Sequence, residues 1–360
     1  MKKKFILIGA GHSHLTFLKN IDPNFFNSMQ ITLIEINLKI IYSGMTPGYI
    51  LGNYELDNIY IDITKICNHY NIDFINCEIE DIDFENKKIF FQDRSIKYDY
   101  LSINTGSIVD LTIIPGAQSY GLPVKPLSGF IEKIDIIKNS KNKQVSFVGA
   151  GFAGLELLFA LSSVNTSHTY NLFTNKKKIL PGLPNKISRI IENEITYRKI
   201  NIFYNKKIKS QSNHAIFDGQ LSYASDYTVY STGPSVSKFI KKLKLKKGSN
   251  GFISVNEYFE TSSKNCFALG DCISQLQTNP KSGIFAVRHG EYLAKNIHKI
   301  LSGKGAKPFI PQKRFMLILQ ISRYAALLYR SNLIYKGFIP HLLKRFIDTN
   351  YIKSLSFYSK

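Results

Sequence analysis

Short apolar runs, each closed by glycines, divide the first three quarters of the chain into two similar halves. Residues 4–11 read KFILIGAG: Phe5–Ile8 predicts a buried strand, Gly9-Ala10-Gly11 a turn, and about Ser13–Asn20 a helix. Ile31–Ile36 predicts a second strand, and apolar residues near helical spacing predict a helix over 58–70. Residues 72–100 alternate in short stretches between polar turns. They predict a β-meander feeding a returning strand that ends in Asn104-Thr105-Gly106-Ser107. Pro115-Gly116 and the run Leu122–Pro126 mark a crossover linker.

The plan then repeats from about Lys143 to Pro234. QVSFV leads into Gly149-Ala150-Gly151, followed by a helix over Leu155–Ser162 and a strand over Tyr170–Thr174. A closing strand, Tyr227–Tyr230, precedes Ser231-Thr232-Gly233-Pro234. The Lys-rich stretch 238–247 reads as a solvated surface. Beyond it comes a strand running into Phe267-Ala268-Leu269-Gly270-Asp271. The composition changes after about Gly305.

A strand entering a glycine turn and then a helix makes a pyrophosphate site. One glycine permits the turn, the next lets backbone approach phosphate, and the helix N-terminus faces the negative charge. Two such sites in one chain predict two bound nucleotides, the layout of a flavoprotein reduced by a nicotinamide. At the first, Gly9 and Gly11 face the pyrophosphate, and His14, in the third glycine's position, is expected to join them in binding the cofactor. Glu35 ends the next strand, about 20 positions on, where a carboxylate accepts from ribose hydroxyls. The second site keeps Gly149, Gly151 and Gly154, but no acid stands near Thr174. Asn175, Lys176, Lys177 and Lys178 follow instead. They suit either a ribose 2′-phosphate, favouring NADPH, or plain solvation of a surface loop.

At 360 residues the chain accommodates two or three domains, and its 44% apolar content is ordinary. Four cysteines with no C-x-x-C spacing argue for a reducing, cytoplasmic setting and against a disulfide framework. The apolar part of the basic N-terminus is too short for a signal peptide, and no run is long enough to span a membrane. The net charge of +21 accompanies a Lys-, Asn- and Ile-rich composition without Trp, which points to coding bias. No nucleic-acid recognition motif accompanies it, so nucleic-acid binding is not expected. His12 and His14 lack a further ligand set, so no metal site is expected either.

GAGHSHL, YSGMTPGYI, YDYLSINTGS, LPVKP and PKSGIFAVRHG, in this order, resemble the pyridine nucleotide-disulfide oxidoreductase superfamily. Within it the chain is similar to the type II NADH dehydrogenase-like group, and most of all to the flavoprotein module found fused to selenide, water dikinase. The resemblance implies an α/β fold with two Rossmann-like, glutathione reductase-like domains and a C-terminal α+β segment. It implies a discontinuous FAD domain over 1–113 and 251–305, an NAD(P)H domain over 114–250, and a packing or membrane-association segment over 306–360. Gly270 and Asp271 then bind FAD together with Thr105 and Gly106. Thr232 and Gly233 serve the nicotinamide nucleotide. Glu156 points toward the flavin–nicotinamide contact, where it orients the nicotinamide or passes a proton, and Lys125 approaches the flavin.

With no cysteine pair beside the flavin, the expected acceptor is a quinone or another small molecule. Residues 280–289 align with the family's quinone-pocket segment, so Arg288 and His289 are the expected carbonyl partners or proton donors. The alternatives are a flavoenzyme reducing selenium or sulfur compounds and a non-catalytic flavin-binding redox sensor. Ile339, Leu342, Leu343, Phe346, Ile347, Ile352 and Leu355 recur near helical spacing, with Lys344, Arg345 and Lys353 between them. That pattern predicts an amphipathic helix for peripheral membrane contact, on the cytoplasmic face, or for dimer packing.

Overall fold

The computed structural model describes residues 2–274, 281–312 and 314–356. Two parallel five-stranded sheets form its frame. The first has the order Cys266–Ala268, Tyr100–Ile103, Lys3–Ile8, Met29–Ile34, Asp73–Ile75. The second has the order Gly121–Pro123, Tyr227–Tyr230, Gln144–Val148, Thr169–Phe173, Asn201–Phe203. In both, the strand that enters the glycine turn is central, and the chain leaves it first to one side and later returns on the other. A cleft opens at such a reversal, beyond the carboxyl ends of the strands. Covered on both faces, these strands are nearly continuous apolar runs: Phe5, Leu7, Leu101, Phe147, Leu172 and Val229 have no exposed surface.

The internal repeat reaches further than the glycine turns. In the first unit, Asp73–Ile75 leads to an antiparallel meander of Asp81–Asp83, Lys88–Phe91 and Arg94–Lys97, and then to the returning strand. In the second, Asn201–Phe203 leads to Ser210–Gln211, Ala215–Phe217 and Ser222–Ala224, and then to Tyr227–Tyr230. These second-unit strands are too short for periodicity to reveal.

Three expected elements shift. The strand expected over Ile31–Ile36 is Met29–Ile34; the chain then turns outward, leaving Ile36 exposed. The helix expected over 58–70 is Ile63–Tyr70, capped by Asp62 accepting from the Lys65 N–H at 3.1 Å. Tyr60–Asp62 pairs instead with Lys39–Ile41 as a small antiparallel ribbon. The helix after the second glycine turn is longer than expected, Phe152–Val164.

Helix Gly283–Ser302 lies against helix His12–Asn20 in the first unit. A Cβ on Gly290 would stand 2.2 Å from the Ser13 carbonyl oxygen, so only glycine permits this approach. The C-terminal segment forms an antiparallel sheet of Met316–Ser322, Ala325–Arg330 and Leu333–Gly337, followed by helix Phe338–Lys353. It packs on both units, not on the first alone. Met316–Ser322 lies on helix Phe152–Val164, and Arg198 donates to the Ile321 carbonyl at 2.9 Å. Its helix reaches the first unit, where Lys344 donates to the Gly44 carbonyl at 2.9 Å. Among the described residues, no helix is long and apolar enough to cross a membrane.

Candidate functional site

At the first glycine turn, Gly9 has φ +86°, and a Cβ there would stand 2.6 Å from the Asn104 carbonyl oxygen. A Cβ on Gly11 would stand 2.4 Å from Asn104 Oδ1. Asn104, directly after the returning strand, holds the turn in place. It accepts from the His14 N–H and donates from Nδ2 to the Leu269 carbonyl at 2.9 Å. Gly11 is the N-cap of helix His12–Asn20 and offers no side chain to its first turn, leaving that end open to an anion. Glu35 accepts from the Ala10 N–H at 2.8 Å, so the ribose-reading carboxylate stands against the turn itself. Thr105 is exposed, and Gly106 takes φ +73° with open space around it.

His14 is placed otherwise than expected. Its ring is fully buried behind the turn, with Nδ1 2.6 Å from the Gly9 carbonyl and Nε2 2.7 Å from Ser102 Oγ. A carbonyl only accepts, so Nδ1 carries the proton and Nε2 accepts from Ser102. Burial lowers its pKa to about 4 and keeps the ring neutral. His14 therefore braces the turn instead of contacting a cofactor. His12 has separate partners, lying against the rings of Tyr351 and Tyr42.

Asp271 sits at the end of the first sheet, after Gly270 at φ +69°. Lys125 meets its carboxylate at 2.8 Å, and Ser107 donates to the same oxygen at 3.3 Å. Burial pushes the Asp271 pKa up, but Lys125, Lys281 and the other facing groups outweigh it, so the net shift is downward. Lys125 is thus joined to the expected flavin-binding Asp.

The structure places the two expected acceptor residues of helix Gly283–Ser302 in different settings. His289 Nδ1 accepts from the Gly270 N–H at 3.1 Å, and its ring lies against Phe259 and Phe309. Burial lowers its pKa to about 4. It supports the Gly270–Asp271 turn from within and is not poised to donate a proton. Arg288 is half-exposed, paired with Glu291 at 2.8 Å in a surface cleft with Tyr292 and Phe309. Pro280, the first residue of the expected pocket segment, lies outside the described residues.

The second glycine turn is built like the first. Gly149 has φ +113°, and Cβ atoms on Gly149 and Gly154 would stand 2.4 Å from the Ser231 carbonyl oxygen and 2.2 Å from Ser231 Oγ. Ser231, directly after its returning strand, occupies the place of Asn104. Gly151 faces open space at an N-cap without a side-chain cap. Thr232 and Gly233 are exposed beside it. Thr174 is buried, accepting from the Lys176 N–H, whereas residues 175–178 are exposed.

Glu156 begins the second helical turn, so the end of the helix does not account for its charge. Its carboxylate accepts from the Gln320 N–H at 2.7 Å, with Lys344 Nζ at 3.9 Å. Lys344 also meets Asp348 at 3.2 Å, and the Tyr42 hydroxyl donates to Asp348 at 3.1 Å. Burial raises the Glu156 pKa, Lys344 and the Gln320 N–H lower it, and the net shift is upward. Sequence reasoning missed this cluster: Tyr42 and the i,i+4 pair Lys344–Asp348 lie far from Glu156 in sequence and reach it only through the fold. Asn104 and Ser231 did leave a signal, because each precedes a Thr-Gly pair at the end of a returning strand.

A family profile described as pyridine nucleotide-disulphide oxidoreductase matches residues 3–290. The NADH dehydrogenase-like protein YutJ of Bacillus subtilis is 25% identical over 88% of this chain and 89% of its own. A type II NADH:quinone oxidoreductase of Staphylococcus saprophyticus is 22% identical over 86% of this chain and 85% of its own. Among solved structures, NDH2 from Plasmodium falciparum in complex with NADH superposes with a TM-score of 0.81 at 16% identity over the full length of both chains. The sulfide:quinone oxidoreductase from Aquifex aeolicus gives a TM-score of 0.81 at 17% identity, over 98% of this chain and 91% of that one.

All four cysteines are buried and free. Burial pushes the thiols of Cys67 and Cys266 up to about 12 and that of Cys272 to about 11. Cys272 Sγ donates to the Leu269 carbonyl at 3.0 Å. A thiol-disulfide reagent at pH 8 is therefore expected to react with the protein only on unfolding. Rapid modification of two thiols in the folded state would bring back a disulfide-reducing role.

Proposed function

Because the chain belongs to the pyridine nucleotide-disulphide oxidoreductase family, we propose that it is an FAD-dependent NAD(P)H dehydrogenase that delivers electrons to a quinone. The observation that carries this reading is the pair of glycine turns, each locked at a sheet's point of reversal and each opening on an uncapped helix end. The first fits FAD: Gly9 and Gly11 leave room for pyrophosphate, Glu35 stands where a ribose binds, and Asp271 ends the neighbouring strand. The second fits a nicotinamide nucleotide through Gly149, Gly151 and Gly154. Bound FAD supplies the two-electron chemistry, taking a hydride from the nicotinamide and passing electrons onward.

The chain's own residues position and balance charge. Asn104 and Ser231 fix the two turns, and Lys125 holds Asp271 in place. Glu156 faces the junction of the second unit with the C-terminal helix, where Lys344 offsets its charge. The buried thiols leave no dithiol to relay electrons, which supports a diffusible acceptor, and the names of the relatives favour a quinone. FAD-loaded protein is expected to be yellow, to bleach with NADH or NADPH without oxygen, and to recolour with a soluble quinone. Recolouring by a selenium or sulfur oxidant but not by quinone would overturn the acceptor, and no recolouring with any acceptor would mark a sensor.

For the nicotinamide, the exposed Lys176–Lys178 loop after strand Thr169–Phe173 supports NADPH. A charge-assisted bond is worth about 1.5–3 kcal/mol. Replacing the three lysines by Ala should therefore lower kcat/KM for NADPH by roughly tenfold or more and leave NADH little changed. A wild type that strongly prefers NADH would refute it.

For location, Ile339, Leu342, Phe346 and Ile347 are exposed on the C-terminal helix, whereas Ile352 packs against the core. The apolar face is thus divided between solvent and protein, and its outer part, with Arg345, suits an anionic membrane surface. Ile339→Glu with Phe346→Glu should abolish co-flotation with vesicles containing an anionic phospholipid. Undiminished flotation would contradict membrane contact through this helix.

A further inference from the structure

Lys281 is a half-buried cation that the reading above leaves without a task. It directly precedes Ser282, the N-cap of helix Gly283–Ser302. Its ammonium donates to the carbonyl oxygens of Asp271 at 2.8 Å and Ile273 at 2.5 Å. It also lies 3.6 Å from the ring centroid of Phe252, a buried side chain. Two carbonyls and an aromatic face hold it, and among the described residues no carboxylate is bonded to it directly. The Asp271 carboxylate is taken by Lys125.

This placement is unfavourable for the protein alone. Partial burial, Lys125 and the positive end of the helix all disfavour the charge. Burial pulls the Lys281 pKa down to about 8 even with Asp271 opposing it. The groups facing it are Asp271 and Cys272 from its own loop, Lys125 from the crossover segment, and His289 from the helix; His12 faces Asp271 from the first helix. His12 and His289 are neutral at pH 7, since burial lowers both to about 4, and Cys272 is an unionised thiol. Among the described residues of the cluster, two lysines and one carboxylate carry charge, one positive charge in excess. A fixed, uncompensated cation at the end of the first sheet is matched to a negative charge that arrives only during turnover.

We propose that Lys281 is an electrostatic tuning residue that raises the reduction potential of the bound flavin by stabilising the negative charge the flavin gains on reduction. The proposal rests on the reading of Asp271 and this helix start as the flavin's site. Lys281 forms no covalent bond to the flavin; it acts through its charge and through a proton it exchanges with solvent at Nζ. Where the oxidised protein has lost that proton, reduction restores it, because negative charge on the flavin raises the affinity of Nζ for a proton.

The test is the midpoint potential of the bound flavin, measured against pH on FAD-loaded wild type, Lys281→Met and Lys281→Arg. Wild type should show a steeper fall of potential above about pH 8, where each reduction takes up an additional proton. Lys281→Met should have a lower potential at pH 7 and no such break. Lys281→Arg, charged throughout, should keep the higher potential and also lose the break. Potentials in Lys281→Met equal to wild type across the range, or a break that persists in Lys281→Arg, would overturn the proposal. Wild-type protein that takes up no FAD would instead overturn the flavoprotein reading on which it rests.

Discussion

The fold turns on a close approach made twice: a glycine turn pressed against the residue that follows the returning strand. Gly9 and Gly11 meet Asn104, and Gly149 and Gly154 meet Ser231, at distances that leave no room for a Cβ. In each unit the first glycine also takes a positive φ that L side chains rarely adopt. The contact draws together the central strand, its neighbour and the first helix, and aims that helix's free N–H groups into the cleft. The two clefts proposed for nucleotides open at these contacts. Asn104 extends the reach to the Leu269 carbonyl, so the last strand of the first sheet, contributed by a distant part of the chain, is set in register by the same side chain.

A second constraint joins the two units. The C-terminal sheet is fastened to the second unit by Arg198 on the Ile321 carbonyl and by the Lys336–Glu194 pair. Its helix carries Lys344 between Glu156 of the second unit and Asp348, with the Gly44 carbonyl of the first unit closing the set. Leaving such a buried charge without its partner costs roughly 3–5 kcal/mol, whereas the intact set contributes little net stability. The network is therefore better understood as fixing where Glu156 sits than as holding the protein together.

Much of this was legible in the sequence because local rules and tertiary structure agree. The glycine turns, the returning strands and the Glu35 position all follow from short-range spacing. What escaped depends on distant contacts. His14 stands where a glycine is usual and reads as a ligand contact, yet its bond to Ser102 turns it inward. Nothing local distinguishes His289, tied to Gly270, from a histidine facing a substrate. The helix expected over 58–70 lost its first part because Tyr60–Asp62 found a partner strand at Lys39–Ile41. In each case a non-local hydrogen bond outweighed a local preference.

The buried charges show a division of roles. Glu35 is taken by the Ala10 N–H, Asp271 by Lys125, and Glu156 by Gln320 and Lys344, so each carboxylate near the two clefts is already satisfied. An incoming nucleotide then finds oriented acceptors without having to reorganise them, and the hydrogen bonds it makes are gained at little expense in ordering. Lys281 is a cation beside them whose bonds are to neutral carbonyls. On the reading proposed above, that charge matches the surroundings to the reduced state of a flavin in preference to the oxidised one. That asymmetry favours the product of electron entry, which is what a protein must supply to draw electrons from a nicotinamide before handing them on.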